Sequence, residues 1–393
     1  MQITHTGHAT PRVGVSNQFT QYVQLLPSHI ASPTFWIEAE RSTLRSTSLE
    51  TALEAKLHSL DREFSEFRSA TSSIAWCQRI WWDTDTGTLS FEDWKLVDAM
   101  YRSRALDLPG TGHSMIPCID NANHASGDNT TSLYETDLDG NAILVLRDGK
   151  DLKRGDEVTI TYGDEKGACE MLFSYGFIEE GMTSARELFL DLDVQDDDPL
   201  KLAKKAVSNS APGFRLFDHS GTVSWEGPFV WLLCINEEDG LEFQLLQKND
   251  GERELKVFWR GAEMSDLSKI ETLLGEDPKW PLFELRATVV VRDRVEKQLL
   301  ILKSSKTDVA SHDRPIKEHT AIHYAARLRS LEETFMLQAH DEWENKVPRS
   351  FHTPSLDCFR TPIPYALSDN YEDCKRIVPF KHRATIPGNR NTG

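Results

Sequence analysis

Two adjacent polar residues, Asn123 and His124, follow the short apolar segment PCI in a loop that ends in glycine. A zinc site would need three or four ligands, and Asp120 is the one nearby candidate besides the histidine, so we expect no metal site. Cys118 and His124 could instead form a nucleophile and its base, although a cysteine in PCI alternates like a buried strand residue. A histidine in such a place is usually structural, and the pair alone decides nothing.

Three other segments carry residues suited to binding or catalysis: GDEVTITYG with Tyr162, MLFSYGFI with Tyr175 and Phe177, and RSRAL with Arg104. A tyrosine hydroxyl donates and accepts hydrogen bonds without carrying a charge near pH 7. An arginine presents a planar fork of donors that fits a carboxylate. A tyrosine followed by glycine more often only ends a strand, so each segment is weak evidence by itself.

The elements that would position these residues follow from the spacing of apolar side chains. Short apolar runs bounded by turn residues, SMIPCI, AILVLR and EVTITYG, predict strands and a compact β segment over 108–163. KGACEMLFSYGF then returns to helical spacing. The predicted secondary structure changes near residue 108, from helices to strands.

Helices are predicted on both sides of this β segment. One begins with a capping-box pattern at Thr47 and Glu50 and carries leucines and phenylalanines at spacings of three and four. A second begins after Ser90, with Trp94, Val97, Tyr101 and Ala105 on its core side. A further amphipathic helix covers HYAARLRSLEETFMLQAHDEW.

Composition and charge limit the class of partner. The 393 residues suffice for two domains, and 44 basic against 62 acidic residues give a net charge of -18. This charge disfavours direct binding to nucleic acid and suits a basic protein partner, or simply a soluble surface. The six cysteines have no metal or disulfide spacing, and we find no signal peptide or membrane span, so we expect an intracellular protein of the cytoplasm or nucleus.

Taken in order, three motifs resemble those of a known enzyme family. Residues 120–124 (DNANH), 155–162 (GDEVTITY) and 172–177 (LFSYGF) resemble the D-x-x-N-H, G-E…Y and L-x-x-Y-G-F motifs of SET-domain protein-lysine methyltransferases. The resemblance is to the branch typified by the Rubisco large-subunit methyltransferase and the fungal ribosomal-protein lysine methyltransferases. The second motif has one residue more between its glycine and its glutamate.

The resemblance implies an α+β fold. A β-rich SET domain would occupy residues 1–187, with a helical insert over about 33–107. A mostly helical, substrate-binding-like domain would occupy 190–345. The proline-rich, aperiodic composition of 346–393, and not the resemblance, predicts a disordered tail there.

The resemblance also implies the cofactor S-adenosylmethionine and a protein substrate that presents a lysine. Tyr162 would be the catalytic tyrosine and Tyr175 would line the lysine channel. The cofactor would be bound by four residues: Arg104, Asn123, His124 and Phe177. Arg102, two residues before Arg104, is expected to be solvated. Beside a cationic sulfonium the pKa of the catalytic tyrosine should fall.

One feature of the family is absent from this sequence. SET domains begin with a strand and a Gly-x-Gly turn that approaches the cofactor, whereas Gly7 and Gly14 stand too far apart to form one. We therefore expect that the first strand is missing. Two hypotheses remain open: an active lysine methyltransferase, or a catalytically impaired SET-like module for protein interaction.

Overall fold

A computed structural model describes residues 19–83, 89–108, 112–208, 211–247, 251–305 and 317–346. The predicted tail beyond residue 346 and the glycines at positions 7 and 14 lie outside these ranges. The α-helices are α1 Thr20–Leu25, α2 Glu38–Arg41, α3 Ser48–Thr71, α4 Ala75–Cys77, α5 Phe91–Arg104, α6 Ala168–Tyr175, α7 Lys201–Val207, α8 Pro228–Cys234, α9 Ile270–Gly275, α10 Trp280–Ser304 and α11 Ala321–Lys346.

The strands are short and form several small sheets. They are β1 Ala105–Leu108, β2 Gly112–Met115, β3 Asn123–His124, β4 Ser132–Thr136, β5 Ala142–Leu146, β6 Thr159–Ile160, β7 Glu187–Asp191, β8 Gly213–His219, β9 Thr222–Glu226, β10 Leu241–Gln247, β11 Arg253–Trp259 and β12 Ala262–Glu263. The pairs are β1-β2, β4-β5 and β3-β6, and the three-stranded sheets have the orders β7-β8-β9 and β10-β11-β12. The predicted α+β class is confirmed.

The described residues fall into two compact units. The first comprises residues up to 189 together with 215–225 and 295–342, and the second comprises 190–214, 226–294 and the residues from 343. The second unit contains α7, α8, α9 and the β10-β11-β12 sheet, whose antiparallel register pairs Leu241 with Trp259. The domain boundaries that the sequence suggested stay a prediction.

Helix α3 begins where the sequence indicated but is capped in another way. Thr47 is the N-cap residue, yet its hydroxyl donates to the carbonyl of Leu44 at 2.6 Å, and Glu50 accepts from the N–H of Ser46 at 2.6 Å. The N–H of Ser48 donates instead to the carboxyl group of Glu332 in α11, at 3.2 Å. The predicted capping box is wrong because a carboxyl group distant in sequence takes its place at the helix N-terminus.

Helix α5 begins after Ser90, as predicted. The Ser90 hydroxyl accepts from the N–H of Asp93 at 3.2 Å, and the Asp93 carboxylate accepts from the N–H of Ser90 at 2.9 Å. The fully buried residues are Leu96, Ala99 and Met100, and the predicted Val97 packs against them from a half-buried position. Trp94 and Tyr101 are also half-buried, and Ala105 lies beyond the helix, in β1.

The β segment is less regular than its apolar runs suggested. Strand β2 ends at Met115, and the next residues form a 3-10 turn over Ile119–Asn121. Strand β6 is limited to Thr159–Ile160, because the Thr131 hydroxyl accepts from the N–H of Thr159 at 2.8 Å and donates to its carbonyl at 3.2 Å, where a strand neighbour would otherwise pair. Side chains thus complete part of the hydrogen bonding in this region.

A small apolar core lies beneath this segment. Its buried members are Leu106, Ile119, Ala122 and Ile160, and the half-buried ring of Tyr162 packs against them. Since the core spans β1, the turn before β3 and strand β6, it holds together the segment that carries Arg104 and the first and second motifs.

Candidate functional site

A parallel pair of two-residue strands brings the first two motifs together. Strand β3 pairs with β6 in a parallel register that sets Asn123 beside Thr159 and His124 beside Ile160. Tyr162 follows β6 by two residues, and its N–H donates to Nδ1 of His124 at 3.0 Å. The Tyr162 hydroxyl donates back to the carbonyl of Ala122, also at 3.0 Å.

Four of the residues singled out in the sequence form one aromatic cluster. The rings of Tyr162 and Tyr175 stack, with centroids 4.6 Å apart and an interplanar angle of 30°. His124 lies 5.2 Å from the ring of Tyr162 and 6.0 Å from that of Phe177, and Tyr175 lies 6.4 Å from Phe177. Residues from β3, from the end of β6 and from the end of α6 therefore line one small region.

Gly176 makes this arrangement possible. It ends α6 in a left-handed conformation with φ of 82°, and a Cβ on it would lie 2.5 Å from the carbonyl oxygen of Ala31. Only glycine tolerates both conditions without strain. The reversal of the chain at this residue places Tyr175 and Phe177 on the same cluster.

The hydroxyls of the two stacked tyrosines stay protonated near neutral pH, because the pKa of each is raised. Burial raises the pKa of Tyr162; the charge of Arg104 lowers it, and those of Asp120 and Glu157 raise it. Burial likewise raises the pKa of Tyr175, with a further upward contribution from Glu170. Both side chains can thus donate a hydrogen bond as neutral groups.

Arg104 ends α5 next to the turn before β3. Its Nη1 donates to the carbonyl of Asp120 at 3.0 Å and to Oδ1 of Asn121 at 3.1 Å, and it lies 3.4 Å from the Asp120 carboxylate. Each of these contacts with the described residues goes through Nη1, which leaves the rest of the guanidinium fork for an anionic group.

Asn123 is exposed at the edge of the cluster. Its side-chain amide donates to Oε1 of Glu157 at 2.5 Å, and Glu157 belongs to the second motif. This contact joins the first and second motifs by their side chains, in addition to the strand pairing.

Two expectations about neighbouring residues are wrong. Arg102 is not solvated: it pairs with Asp98 at 2.8 Å, and its guanidinium lies 4.5 Å from the ring centroid of Phe173. Cys118 is not a buried strand residue either, because it is exposed in a turn with φ of 76°. Arg102 is not solvated because α6 packs against α5 and brings Phe173 to its guanidinium. Cys118 is not in a strand because β2 ends at Met115.

A nucleophilic pair of Cys118 with His124 has no support in this geometry. The two ring nitrogens of His124 face the Tyr162 N–H and, at 3.3 Å, the carboxylate of Glu179. Within the described ranges, no group of three histidine, cysteine or acidic side chains could hold a metal ion. None of the described helices is long and apolar enough to cross a membrane.

Sequence reasoning missed two residues that complete the site. Tyr22 donates to the buried carboxylate of Asp120 at 2.5 Å, and burial raises the pKa of this tyrosine. Glu179 lies directly after the YGFI segment, so an acid two residues beyond Phe177 was a visible signal. Tyr22 is 98 residues from Asp120, and no local pattern points to it.

Comparisons with known proteins show which proteins this chain is similar to. The chain is 30% identical over 278 residues to SET domain-containing protein 8 of Schizosaccharomyces pombe, which covers 69% of this chain and 60% of that protein. It superposes on the crystal structure of the SET domain of LSMT bound to methyllysine and AdoHcy with a TM-score of 0.54 and 18% identity, covering 85% of this chain and 72% of that one. The chain is a SET-domain protein.

Other relatives of this SET-domain protein differ in the residue that they modify. It is 23% identical over 285 residues to a chloroplastic fructose-bisphosphate aldolase-lysine N-methyltransferase of Arabidopsis thaliana, covering 66% of this chain and 57% of that one. It is also 23% identical over 330 residues to actin-histidine N-methyltransferase of Mus musculus, covering 76% and 54%.

The SET-domain protein spans little more than half the length of these relatives, from 54% to 60%. No family model matches the chain. The resemblance to the Rubisco methyltransferase branch is nevertheless confirmed, since the chain is 26% identical over 194 residues to the Rubisco large-subunit N-methyltransferase of Nicotiana tabacum, covering 46% of this chain and 37% of that one. A solved Rubisco LSMT bound to AdoMet shares the fold, with a TM-score of 0.53 at 18% identity over 84% of the chain.

Proposed function

We propose that this protein is an S-adenosylmethionine-dependent protein methyltransferase and that its acceptor is a lysine of another protein. The observation that carries the proposal is the stacked pair Tyr162 and Tyr175, 4.6 Å apart, beside His124 and Phe177. Relatives named as protein methyltransferases, and neighbours solved with AdoMet or AdoHcy, support the cofactor.

The residues near the cluster fit such a cofactor. Arg104 has donors left over for a carboxylate, and Asn123 presents an exposed amide. Phe177 supplies an aromatic face for an adenine. In the proposal these three residues and His124 hold the cofactor, which supplies an electrophilic methyl group when bound.

The residues of this chain would then orient the acceptor and exclude water. The rings of Tyr162 and Tyr175 are half-buried and apolar on their faces, so they can form the wall of a narrow channel for a lysine side chain. The Tyr162 hydroxyl, now bonded to the carbonyl of Ala122, is the group that would contact the reacting amine. No side chain in the described cluster is placed as a dedicated base, and we propose that the amine loses its proton to water.

A histidine acceptor is the second candidate, because a relative that covers 76% of this chain is an actin-histidine N-methyltransferase. The two are separated by incubating the purified protein with labelled S-adenosylmethionine and candidate protein substrates. Mass spectrometry of the labelled peptides then assigns the methyl group to lysine or histidine. Label on histidine alone would overturn the lysine assignment.

An interaction module without catalysis remains the rival from a different class. Calorimetric titration of S-adenosylmethionine decides between them, with Asn123→Ala as the test variant. We expect binding by the native chain and affinity about tenfold weaker in the variant, the scale of one lost hydrogen bond to a charged or polar ligand. A folded native chain that binds no cofactor would support the rival.

The substrate is proposed to be a basic protein. The net charge of -18 would steer such a partner, and this contribution should fade as salt is raised. Location in the cytoplasm or nucleus stays a prediction.

A further inference from the structure

One buried carboxylate beside the cluster has no part in the proposed chemistry. Glu179 lies two residues after Phe177, and its side chain is 9% exposed. Its Oε1 lies 3.3 Å from Nε2 of His124 and 3.5 Å from Nη1 of Arg186. A carboxylate removed from water needs such partners, and here both of them also contact the chain around Tyr162.

The first of these two routes runs through His124. Because Nδ1 accepts the N–H of Tyr162, a neutral His124 ring must carry its proton on Nε2, which faces Glu179. Nε2 and the facing Oε1 have no hydrogen-bond partner among the described residues, so their contact at 3.3 Å is one of charge, and a carboxylate at that place favours this tautomer. The tautomer in turn keeps the Nδ1 lone pair directed at the backbone of Tyr162.

The second route runs through Arg186. Its Nη1 donates to the carbonyl of Asp164 at 2.7 Å and lies 3.4 Å from that of Lys166, so it holds the turn that follows Tyr162. Arg186 itself has an unusual left-handed backbone, with φ of 60°. A non-glycine residue in this conformation needs surrounding contacts to keep it there, and Glu179 supplies one.

The loop that carries Glu179 is held by an arginine of α11, 148 residues further along the chain. Arg327 in α11 donates through Nη2 to the carbonyls of Glu179 at 2.6 Å and Glu180 at 2.5 Å, and it lies 3.4 Å from that of Met182. One guanidinium therefore fixes the backbone at Glu179 and just after it. These residues all belong to the same compact unit.

We propose that Glu179, held in place by Arg327, is a positioning residue that orients His124 and Arg186 and thereby sets Tyr162. The proposal rests on the proposed function for the meaning of Tyr162, but the contacts themselves can be tested without catalysis. Glu179→Ala removes the carboxylate, Glu179→Gln keeps an acceptor of the same size, and Glu180→Gln removes an exposed carboxylate from the same loop.

The direct readout is the imidazole nitrogen spectrum of protein labelled with ¹⁵N-histidine, in which the signals of His124 are assigned with a His124→Gln variant. We expect the native ring to carry its proton on Nε2. Glu179→Ala should shift the His124 signals, while Glu179→Gln and Glu180→Gln leave that tautomer in place.

Affinity for S-adenosylmethionine gives the second readout. We expect Glu179→Ala to weaken binding about tenfold, the scale at which loss of a carboxylate behind a functional histidine acts in metal sites, and Glu180→Gln to leave it unchanged. Arg327→Ala should weaken binding too. Because both residues act on the same loop, the double variant should weaken binding by less than the two single effects combined. Ser330→Ala, an exposed change on α11, is the matched control for the helix.

The outcomes separate this proposal from the proposed function. Unchanged His124 signals in Glu179→Ala, or equal changes in Glu180→Gln, would overturn the positioning role. If the native protein binds no cofactor, the proposed function fails while the spectrum of His124 still decides whether Glu179 orients the ring.

Discussion

The aromatic cluster and a polar region elsewhere in the same unit differ in how far their side chains are buried and in how distant their partners are in sequence. The cluster uses two-residue strands and helix ends, and its tyrosines remain half-buried. The second region, which we call the buried junction, comprises Ser48 in α3 and Arg329 and Glu332 in α11. Arg329 is 5% exposed and Glu332 is 1% exposed.

The partners also differ. In the cluster, side chains of known motifs bond to backbone a few tens of residues away, as His124 does to Tyr162. In the buried junction, Arg329 donates to the carbonyls of Leu302, Thr43 and Arg45 and to the Ser305 hydroxyl, across up to 286 residues. The side chains of the cluster remain accessible, as the proposed function requires, whereas the buried junction joins the long helices α3 and α11.

The largest effect is expected in the buried junction. Arg329→Ala leaves four acceptors without this donor and Glu332 without its nearby cation, so the free energy of unfolding should fall by about 4 kcal/mol. Denaturant unfolding measures this, and calorimetry on the fraction that stays folded should give native affinity for S-adenosylmethionine. Arg62→Ala, which removes an exposed pair with Glu66 on α3, is the control. An unchanged unfolding midpoint for Arg329→Ala would contradict the assignment of a stabilising role.

The next effect is expected in the cluster and should show the reverse pattern. Tyr162→Phe keeps the stacked ring but removes the hydroxyl, and we expect kcat to fall about a hundredfold, as when one donor is lost from a catalytic site. Cofactor affinity and Tm should stay near native values. Tyr101→Phe, which removes a hydroxyl bonded to the carbonyl of His113 at 3.2 Å, is the matched control. Methylation by Tyr162→Phe at the native rate would remove Tyr162 from the mechanism.

The residues of the cluster were predicted because three motifs, in order, resemble those of a known family, and the structure shows that their side chains meet. The three motifs lie within residues 120–177, and once a short strand pair forms, His124 and Tyr162 meet by register. The roles given to these residues stay predictions. Arg102 was misjudged because its partners, Asp98 and the ring of Phe173, depend on how α5 packs against α6.

The buried junction could not be predicted from the sequence. A glutamate and an arginine three residues apart look like an exposed pair on a helix surface, and Ser48 lies within an apparent capping box. The outcome depends on which side of α11 meets α3, and hydrophobic spacing fixes that side only approximately. The helix itself, over Ala321–Lys346, was predicted correctly.

The last prediction distinguishes the two regions by their response to pH. Burial raises the pKa of Glu332 to about 7 from its ordinary 4.5, although hydrogen bonds from Ser48 and the charge of Arg329 oppose this. The folded chain therefore holds a proton that the unfolded chain has lost, and this contribution to stability declines as pH rises from about 4.5 through 7. Glu332→Gln, which stays neutral, should match the native protein near pH 5 and gain up to about 3 kcal/mol relative to it at pH 8.

The measurement is the difference in free energy of unfolding between Glu332→Gln and the native chain at these two pH values. Glu333→Gln, next to it and more exposed, should give a difference that does not change with pH. A constant difference for Glu332→Gln as well would mean that the carboxyl is ionised across the range. The contrast between the two regions would then need revision, because the buried junction would hold an ionised carboxylate beside Arg329.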